Sequence, residues 1–117
     1  MANAGILISW EDSKVGREAL GAELWMSSIA FYQRQVELGA VESFEPFLMH
    51  RHGGDRNGCI LLRGDREKLD ALKRSDEFVA ITVKAIHCLT CFSVVDVYLG
   101  DGLSKLMGTW MAVLSGA

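Results

Sequence analysis

Hydrophobic and polar positions along the chain change their spacing several times, and each change marks a predicted element. The apolar run at residues 5–10 has the length and composition of a buried strand. Apolar positions then recur at helical spacing through residues 17–39, where Gly39 provides a typical helix end. Residues 41–52 are predicted to be extended, and Pro46 places that strand at a sheet edge because proline donates no ladder hydrogen bond.

The middle of the chain predicts a hairpin followed by a second long helix. The pair Asn57-Gly58 is a hairpin signal, and it leads into a return strand at residues 59–63. Asp65 is a suitable N-cap for the helix that follows, because its carboxylate accepts hydrogen bonds from free backbone N–H groups. Ser75 is a second capping residue within the same apolar pattern, so a kink is expected there.

The end of the chain predicts a final strand at residues 91–99 and a closing helix at residues 101–115. The complete order is β-α-β-β-α-β with one extra helix, which is the ferredoxin-like pattern of the α+β class. Right-handed crossovers place both long helices on one face of a four-stranded antiparallel sheet. We expect a single domain over residues 1–117, with its core at residues 5–99.

The strands are apolar on both faces, and this pattern predicts a partner subunit. One row of the last strand holds Ser93, Val95, Val97 and Leu99, and the other holds Phe92, Val94, Asp96 and Tyr98. A sheet with one solvated face shows strict alternation of apolar and polar residues instead. An exposed apolar face needs a cover, so we expect a homodimer in which two sheets face each other across a barrel.

Composition and charge narrow the possible partners. The 117 residues include 12 Lys and Arg against 15 Asp and Glu, which gives a net charge of −3. This balance argues against binding to nucleic acid or to an anionic membrane, and the third strand lacks the aromatics of RNA-binding relatives of this strand order. No apolar run has the length of a membrane span or signal segment. The expected location is the cytoplasm, where three cysteines remain free thiols.

Several short segments resemble a known group of proteins. They are the strand ending in Trp10, Gly16-Arg17-Glu18 at a helix start, Gly64-Asp65-Arg66-Glu67-Lys68-Leu69-Asp70-Ala71-Leu72, and Ser75-Asp76-Glu77-Phe78. Together they resemble uncharacterised bacterial members of the dimeric α+β barrel superfamily, which includes antibiotic-biosynthesis-type monooxygenases. The resemblance covers residues 5–99 and implies the fold and a dimer. It carries over no catalytic residue, and fold alone does not settle function.

Three polar residues near strand ends are candidates for a ligand site in the barrel lumen. If the Ser93 row faces the helices, Asp96 and Tyr98 face the lumen, and strand parity adds Arg63. A few polar groups converging in an apolar cavity are typical of a small-molecule pocket. The alternatives are a salt bridge between strands or subunits, and strand ends that reach solvent.

Histidines and cysteines offer two further candidates, neither of which predicts a metal. His50 and His52 share one side of a strand, but two histidines do not complete a metal site. Cys88 and Cys91 form a Cys-x-x-Cys pair beside His87, yet the chain has no second pair to complete a zinc site. A redox pair prefers a helix N-terminus, whereas this pair lies near a predicted C-terminus. We therefore expect no metal and no cofactor.

The sequence predicts a protein that binds a small apolar or aromatic molecule in the barrel lumen. The candidate ligand-binding residues are Arg63, Asp96, Tyr98, His50, His52 and Trp10. Trp25 has helical spacing and is expected in the core. A cofactor-independent monooxygenase-like enzyme and a purely structural or regulatory dimer are the alternatives. No nucleophile–base pair marks the chain as an enzyme, so that question stays open.

Overall fold

The computed structural model describes residues 2–116, which form four strands and four helices in the predicted order. The elements are β1 (Ala4–Trp10), α1 (Glu18–Glu37), β2 (Ser43–Leu48), β3 (Gly58–Gly64), α2 (Arg66–Arg74), α3 (Asp76–Cys88), β4 (Ser93–Tyr98) and α4 (Gly100–Gly116). The antiparallel sheet has the order β2-β3-β1-β4. The edge position that Pro46 predicts for its strand is confirmed, because β2 pairs with β3 alone.

The second long helix is divided into α2 and α3 at Ser75, where the sequence predicts only a kink. Ser75 has an extended backbone, and its hydroxyl accepts a hydrogen bond from the backbone N–H of Phe78 at 3.3 Å. Asp65 caps α2 in the same way, accepting from the backbone N–H of Lys68 at 3.2 Å. Each capping side chain satisfies a donor that the first helical turn leaves free. The break lets α3 pack against α1 independently of α2.

The hydrophobic core lies between the helices and one face of the sheet. It contains Ala4, Ile6, Ile8, Phe31, Tyr32, Val41, Ile60, Leu62, Leu69, Leu72 and Phe78, all of them buried. Ile6 and Leu62 are opposite each other in the β1–β3 ladder and are both fully buried. Because side chains alternate along a strand, the residues between these core positions point to the other side of the sheet.

That other side, which we call the open face, is covered by no element of this chain that the structure describes. It comprises Ser43, Glu45 and Phe47 of β2, Cys59, Leu61 and Arg63 of β3, Gly5, Leu7 and Ser9 of β1, and Ser93, Val95 and Val97 of β4. Leu7 lies at its centre, opposite Leu61 on one side and Val95 on the other. An apolar centre with polar margins is the arrangement expected of a protein interface.

The connection from β2 to β3 differs from the hairpin predicted at Asn57-Gly58. Residues 49–57 form a long loop, and Gly58 already pairs with Trp10 in the sheet. A Cβ atom on Gly58 would lie 2.3 Å from the Trp10 indole, so glycine is needed there for the close packing of that ring. Asn57 ties the loop to β1 instead, donating its side-chain amide to the Glu11 carbonyl at 2.7 Å.

Helix α4 leaves the body of the domain at Gly100, whose φ of +51° is readily adopted by glycine. None of the described residues of α4 is buried. The radius of gyration is 16.1 Å, against about 13 Å for a compact domain of roughly this length. The projecting helix accounts for the extended shape. No helix in residues 2–116 has the length and hydropathy needed to cross a membrane.

Candidate functional site

An apolar cavity of about 430 Å³ lies between the helix-covered face of the sheet and helices α1 and α3. We call it the helix-side pocket. Its wall residues include Ile8, Trp10, Leu24, Trp25, Ser28, Tyr32, Leu48, Ile60, Ile81, Ala85, Leu89 and Phe92. Its volume and its mainly apolar lining match those of pockets that hold small organic molecules.

Two tryptophans form one wall of the helix-side pocket. Trp10 ends β1 and Trp25 lies in the second turn of α1, with ring centroids 5.7 Å apart and planes inclined at 68°. This edge-to-face arrangement is favourable because the positive edge of one ring meets the negative face of the other. The pair leaves aromatic surface beside the cavity, which favours a flat apolar ligand.

Two residues with hydroxyl groups line the helix-side pocket from α1. Ser28 and Tyr32 are four residues apart, so they lie on the same side of the helix. Both are buried, with 4% and 1% of their surface exposed, and neither hydroxyl makes a hydrogen bond to another described residue. Buried polar groups usually have partners. Burial raises the pKa of Tyr32, so its phenol stays protonated and acts as a donor.

The local sequence explains how α1 comes close enough to the sheet to shape this cavity. Gly21 faces the turn after β1, and a Cβ atom there would lie 2.6 Å from the Ser13 hydroxyl. Ser13 and Leu89 form an isolated bridge that ties this turn to the end of α3. The mouth carries Glu18 and Ala22, both exposed. Glu18 is the one carboxylate among the described residues that line the pocket.

Arg63 lies on the open face, opposite Gly5 of the neighbouring strand. Its guanidinium donates to the Glu45 carboxylate across the β2–β3 pair at 3.0 Å. This is the salt bridge between strands that the sequence left as an alternative to a ligand site. Both side chains are partly exposed, and the pair forms a polar margin of the open face.

Asp96 and Tyr98 do not share a face with Arg63, so their predicted position in the lumen is wrong. The β1–β4 register sets Asp96 opposite Ile6 and Tyr98 opposite Ala4, both on the helix-covered face. Both rows of β4 are apolar, so the sequence leaves open which row faces the helices, and the condition that the Ser93 row does so is not met. The charge is accommodated because α2 brings cations to it at this edge of the sheet.

Those cations come from one side of α2. Lys73 Nζ lies 2.8 Å from the Asp96 carboxylate, and the Arg66 guanidinium lies 3.5 Å from it. The hydrogen bond from Lys73, aided by the charge of Arg66, holds the pKa of the Asp96 carboxyl below its usual value of 3.8. The ionised carboxylate therefore stabilises the fold when the pH is above that usual pKa. This contribution disappears as the pH falls through the lowered pKa.

Asp96→Asn is expected to lower the free energy of unfolding by less than about 1 kcal/mol at pH 7, because the ion pairs are half exposed. The difference from the parent chain should diminish as the pH falls below 3.8 through the lowered pKa, where the parent carboxylate also becomes protonated. Urea unfolding at pH 7 and at a series of pH values below 3.8 measures it, with the exposed Asp55→Asn as a control that shows no such change. An equal loss at every pH would contradict this origin of the effect.

The predicted histidine and cysteine candidates are dispersed. His50 and His52 lie in the exposed loop after β2, where His52 Nδ1 donates to the His50 carbonyl at 2.9 Å. His87 is exposed near the end of α3, Cys88 is buried, and Cys91 contacts Glu11 at 3.7 Å. Among residues 2–116, no three His, Cys, Asp or Glu side chains are grouped as a metal would require.

Of the six candidate ligand residues, Trp10 alone lines the helix-side pocket. Asp96 and Tyr98 line a second cavity beside α4, and Arg63, His50 and His52 line neither of these two cavities. The sequence does not single out Ser28 and Tyr32. Trp25 packs against the hydrophobic core, as expected, and also lines the pocket. A usable signal was present, since Ser28 and Tyr32 continue the helical stripe of Leu24 and place two hydroxyls in it. Hydroxyls on a buried stripe indicate either an internal hydrogen bond or a ligand.

Comparison with solved structures identifies the fold. A conserved protein from Methanosarcina mazei superposes with a TM-score of 0.63 at 16% identity, over 85% of this chain and 95% of that one. The chain has the ferredoxin-like fold. A dimeric ferredoxin-like protein of unknown function from Bacteroides fragilis matches with a TM-score of 0.61 at 11% identity, over 82% and 95% of the two chains.

One similar structure has a known activity. The cofactor-independent oxygenase SnoaB from Streptomyces nogalater superposes with a TM-score of 0.55 at 13% identity, over 85% of this chain and 95% of that chain. At sequence identities this low, the similarity shows that the chains share the ferredoxin-like fold and nothing more. No protein-family model matches this chain, and no curated protein matches it in sequence.

Proposed function

We propose that this protein binds a small, neutral aromatic molecule in the helix-side pocket, with the ligand's polar group next to Ser28 and Tyr32. The observation that carries this proposal is a pair of hydroxyls, on two buried residues of an aromatic-walled cavity, that have no hydrogen-bonding partner among the described residues. A ligand oxygen would accept from the Tyr32 phenol and so satisfy it. This position replaces the barrel lumen as the ligand site.

The charges around the pocket favour a neutral ligand. No Lys, Arg or His is among the described lining residues, so an anionic ligand would lose its hydration without gaining a cation. Glu18 lies at the mouth and is exposed, which leaves the interior apolar apart from the hydroxyls. A ligand with a flat ring body and one hydroxyl or carbonyl group meets these requirements.

We further infer that two copies of the chain pair through their open faces. Leu7, Leu61 and Val95 supply an apolar centre. Val95 is 45% exposed in the single chain. Burying these side chains against a second copy would gain about 25 cal/mol for each Å² of apolar surface. The similar protein from Bacteroides fragilis is described as dimeric, which supports the same assembly for this chain.

The cysteines favour a reducing compartment, and we propose the cytoplasm. Cys59, Cys88 and Cys91 are all free thiols. Burial, which outweighs the nearby charge of Arg56, raises the pKa of the Cys59 thiol, so this thiol is less reactive than an exposed cysteine. A reducing environment keeps such thiols free.

A cofactor-independent oxygenase is the second candidate. It is suggested by the activity of SnoaB together with the mainly apolar lining of the pocket. The protonated Tyr32 phenol can orient a substrate oxygen but cannot remove a proton from it. Turnover would then require a substrate that ionises readily by itself. Oxygen consumption in the presence of the bound aromatic compound separates this candidate from simple binding.

Titration with 1-naphthol and with naphthalene, followed by tryptophan fluorescence, tests the proposal. Both compounds present the same ring body, and only 1-naphthol carries a hydroxyl. We expect 1-naphthol to bind at least fivefold more tightly, since one buried hydrogen bond contributes about 1 kcal/mol. Tyr32→Phe should abolish that preference while naphthalene affinity stays the same. Equal affinities in the parent chain, or no binding of either compound, would overturn the proposed site.

A further inference from the structure

Helix α4 carries a continuous apolar face on one half of its surface. At 100° per residue, that half contains Leu103, Leu106, Met107, Trp110, Met111, Val113 and Leu114. The opposite half is polar or small and contains Ser104, Lys105, Gly108, Thr109, Ala112 and Ser115. Trp110 is 56% exposed and Leu114 is 78% exposed in the single chain. A contiguous apolar surface of this size indicates an interaction site.

The charges of α4 argue against a lipid surface as the occupant. Helices that lie on membranes carry several Lys or Arg residues on their polar face. Asp101 and Lys105 are the charged residues of this helix, and residues 106–116 contain none. An uncharged helix also gives no electrostatic attraction to a strongly acidic or basic protein. These features favour an apolar protein surface.

The apolar surface of α4 begins next to the open face. Val97 belongs to that face, and Leu99, two residues further along the chain, lies on the same side. Both side chains cover Gly5, where a Cβ atom would lie 2.6 Å from Leu99 and 2.9 Å from Val97. Helix α4 starts at Gly100, so the apolar part of the open face leads directly to the first turn of the helix.

The open face alone is small for a stable dimer. Polar groups limit it at one end, where Arg56 donates to the hydroxyls of Ser9 and Ser93, and at the β2 margin, where Glu45 and Arg63 pair. The other three strands, β3, β1 and β4, are each about six residues long, and together they give a projected footprint of roughly 300 Å². Stable interfaces take about 800 Å² from each partner. Helix α4, about 25 Å long and ~10 Å wide, nearly doubles that footprint.

We propose that the apolar face of α4 packs against the second copy of this chain, at the margin of the sheet-to-sheet contact. The inference rests on the dimer proposed above and extends its interface beyond the two sheets. In a two-fold dimer each copy contributes its own α4, so the contact occurs twice. The helix then covers apolar surface on the partner and loses its own exposure to water.

Trp110→Glu tests this inference, with Thr109→Glu as its matched control. Both variants add one carboxylate to the exposed second half of α4, the first on the apolar face and the second on the polar face. Sedimentation equilibrium on the full-length proteins measures the dimer dissociation constant. We expect Trp110→Glu to weaken the dimer at least tenfold and Thr109→Glu to leave it unchanged. Far-UV circular dichroism confirms that both chains stay folded.

Parallel measurement of Leu61→Asp, on the open face, separates failure of this inference from failure of the proposed dimer. If Leu61→Asp dissociates the dimer and Trp110→Glu does not, the sheets pair without α4 and the inference is wrong. If Thr109→Glu dissociates the dimer as strongly as Trp110→Glu, the apolar face is not the contact and the inference is again wrong. A monomeric parent chain would overturn both the dimer and the role of α4.

Discussion

Leu61→Asp is expected to be monomeric at concentrations where the parent chain is a dimer. Leu61 lies beside Leu7 at the apolar centre of the open face and opposite Glu45, whose carboxylate already pairs with Arg63. Dimer formation would therefore bury the new carboxylate next to a like charge whose cation is already used. Burying an unpaired charge costs several kcal/mol. In a symmetric dimer the cost arises in both copies, and the dissociation constant should rise by more than about 100-fold.

Leu38→Asp is the matched control for that experiment. Leu38 follows α1, is 77% exposed and lies away from the open face, so the same chemical change should leave the dimer intact. Light scattering over a concentration series distinguishes monomer from dimer for all three proteins. A Leu61→Asp protein that stays dimeric would show that the copies meet elsewhere on the chain.

Ala22→Trp is expected to close the helix-side pocket and to weaken 1-naphthol binding more than tenfold. Ala22 lies at the pocket mouth on α1 and is exposed, so a large side chain can be accommodated there without disturbing the core. The indole would occupy the space that the ligand needs. Loss of most ligand contacts corresponds to more than about 1.4 kcal/mol of binding free energy.

Ala30→Trp provides the comparison, because Ala30 is an exposed alanine of the same helix that does not line the pocket. Its affinity for 1-naphthol should equal that of the parent chain, measured by isothermal titration calorimetry so that the added tryptophan does not confuse a fluorescence signal. Equal affinities for Ala22→Trp and the parent chain would show that the probe binds outside this cavity.

Local chemistry in the sequence is enough to predict the order of elements. Pro46 predicts an edge strand because it lacks an N–H group, and Ser75 predicts a kink because it can cap the helix that follows. Both effects act within a few residues. The structure shows the edge strand, and at Ser75 it shows the cap together with a complete break between two helices. The predicted turn at Asn57-Gly58 fails because packing against Trp10, a residue remote in sequence, decides the role of Gly58.

The parity of β4 and the helix-side pocket depend on contacts between distant parts of the chain. Both rows of β4 are apolar, so periodicity does not determine which row faces the helices. The position of Asp96 is stabilised by Lys73 and Arg66, which only the packed α2 brings near. The pocket likewise joins Trp10 to Trp25 and to side chains of α3, and no single segment of the sequence contains it.

Co-crystallisation with 4-bromo-1-naphthol tests the central claim most directly, because anomalous scattering locates the bromine atom without ambiguity. We expect the bromine within the helix-side pocket, beside Trp10 and Trp25. The ligand oxygen should lie within about 3.2 Å of the Tyr32 hydroxyl, the limit of an ordinary hydrogen bond. Bromine between two open faces, or an empty helix-side pocket in crystals that hold the compound elsewhere, would contradict the proposed site.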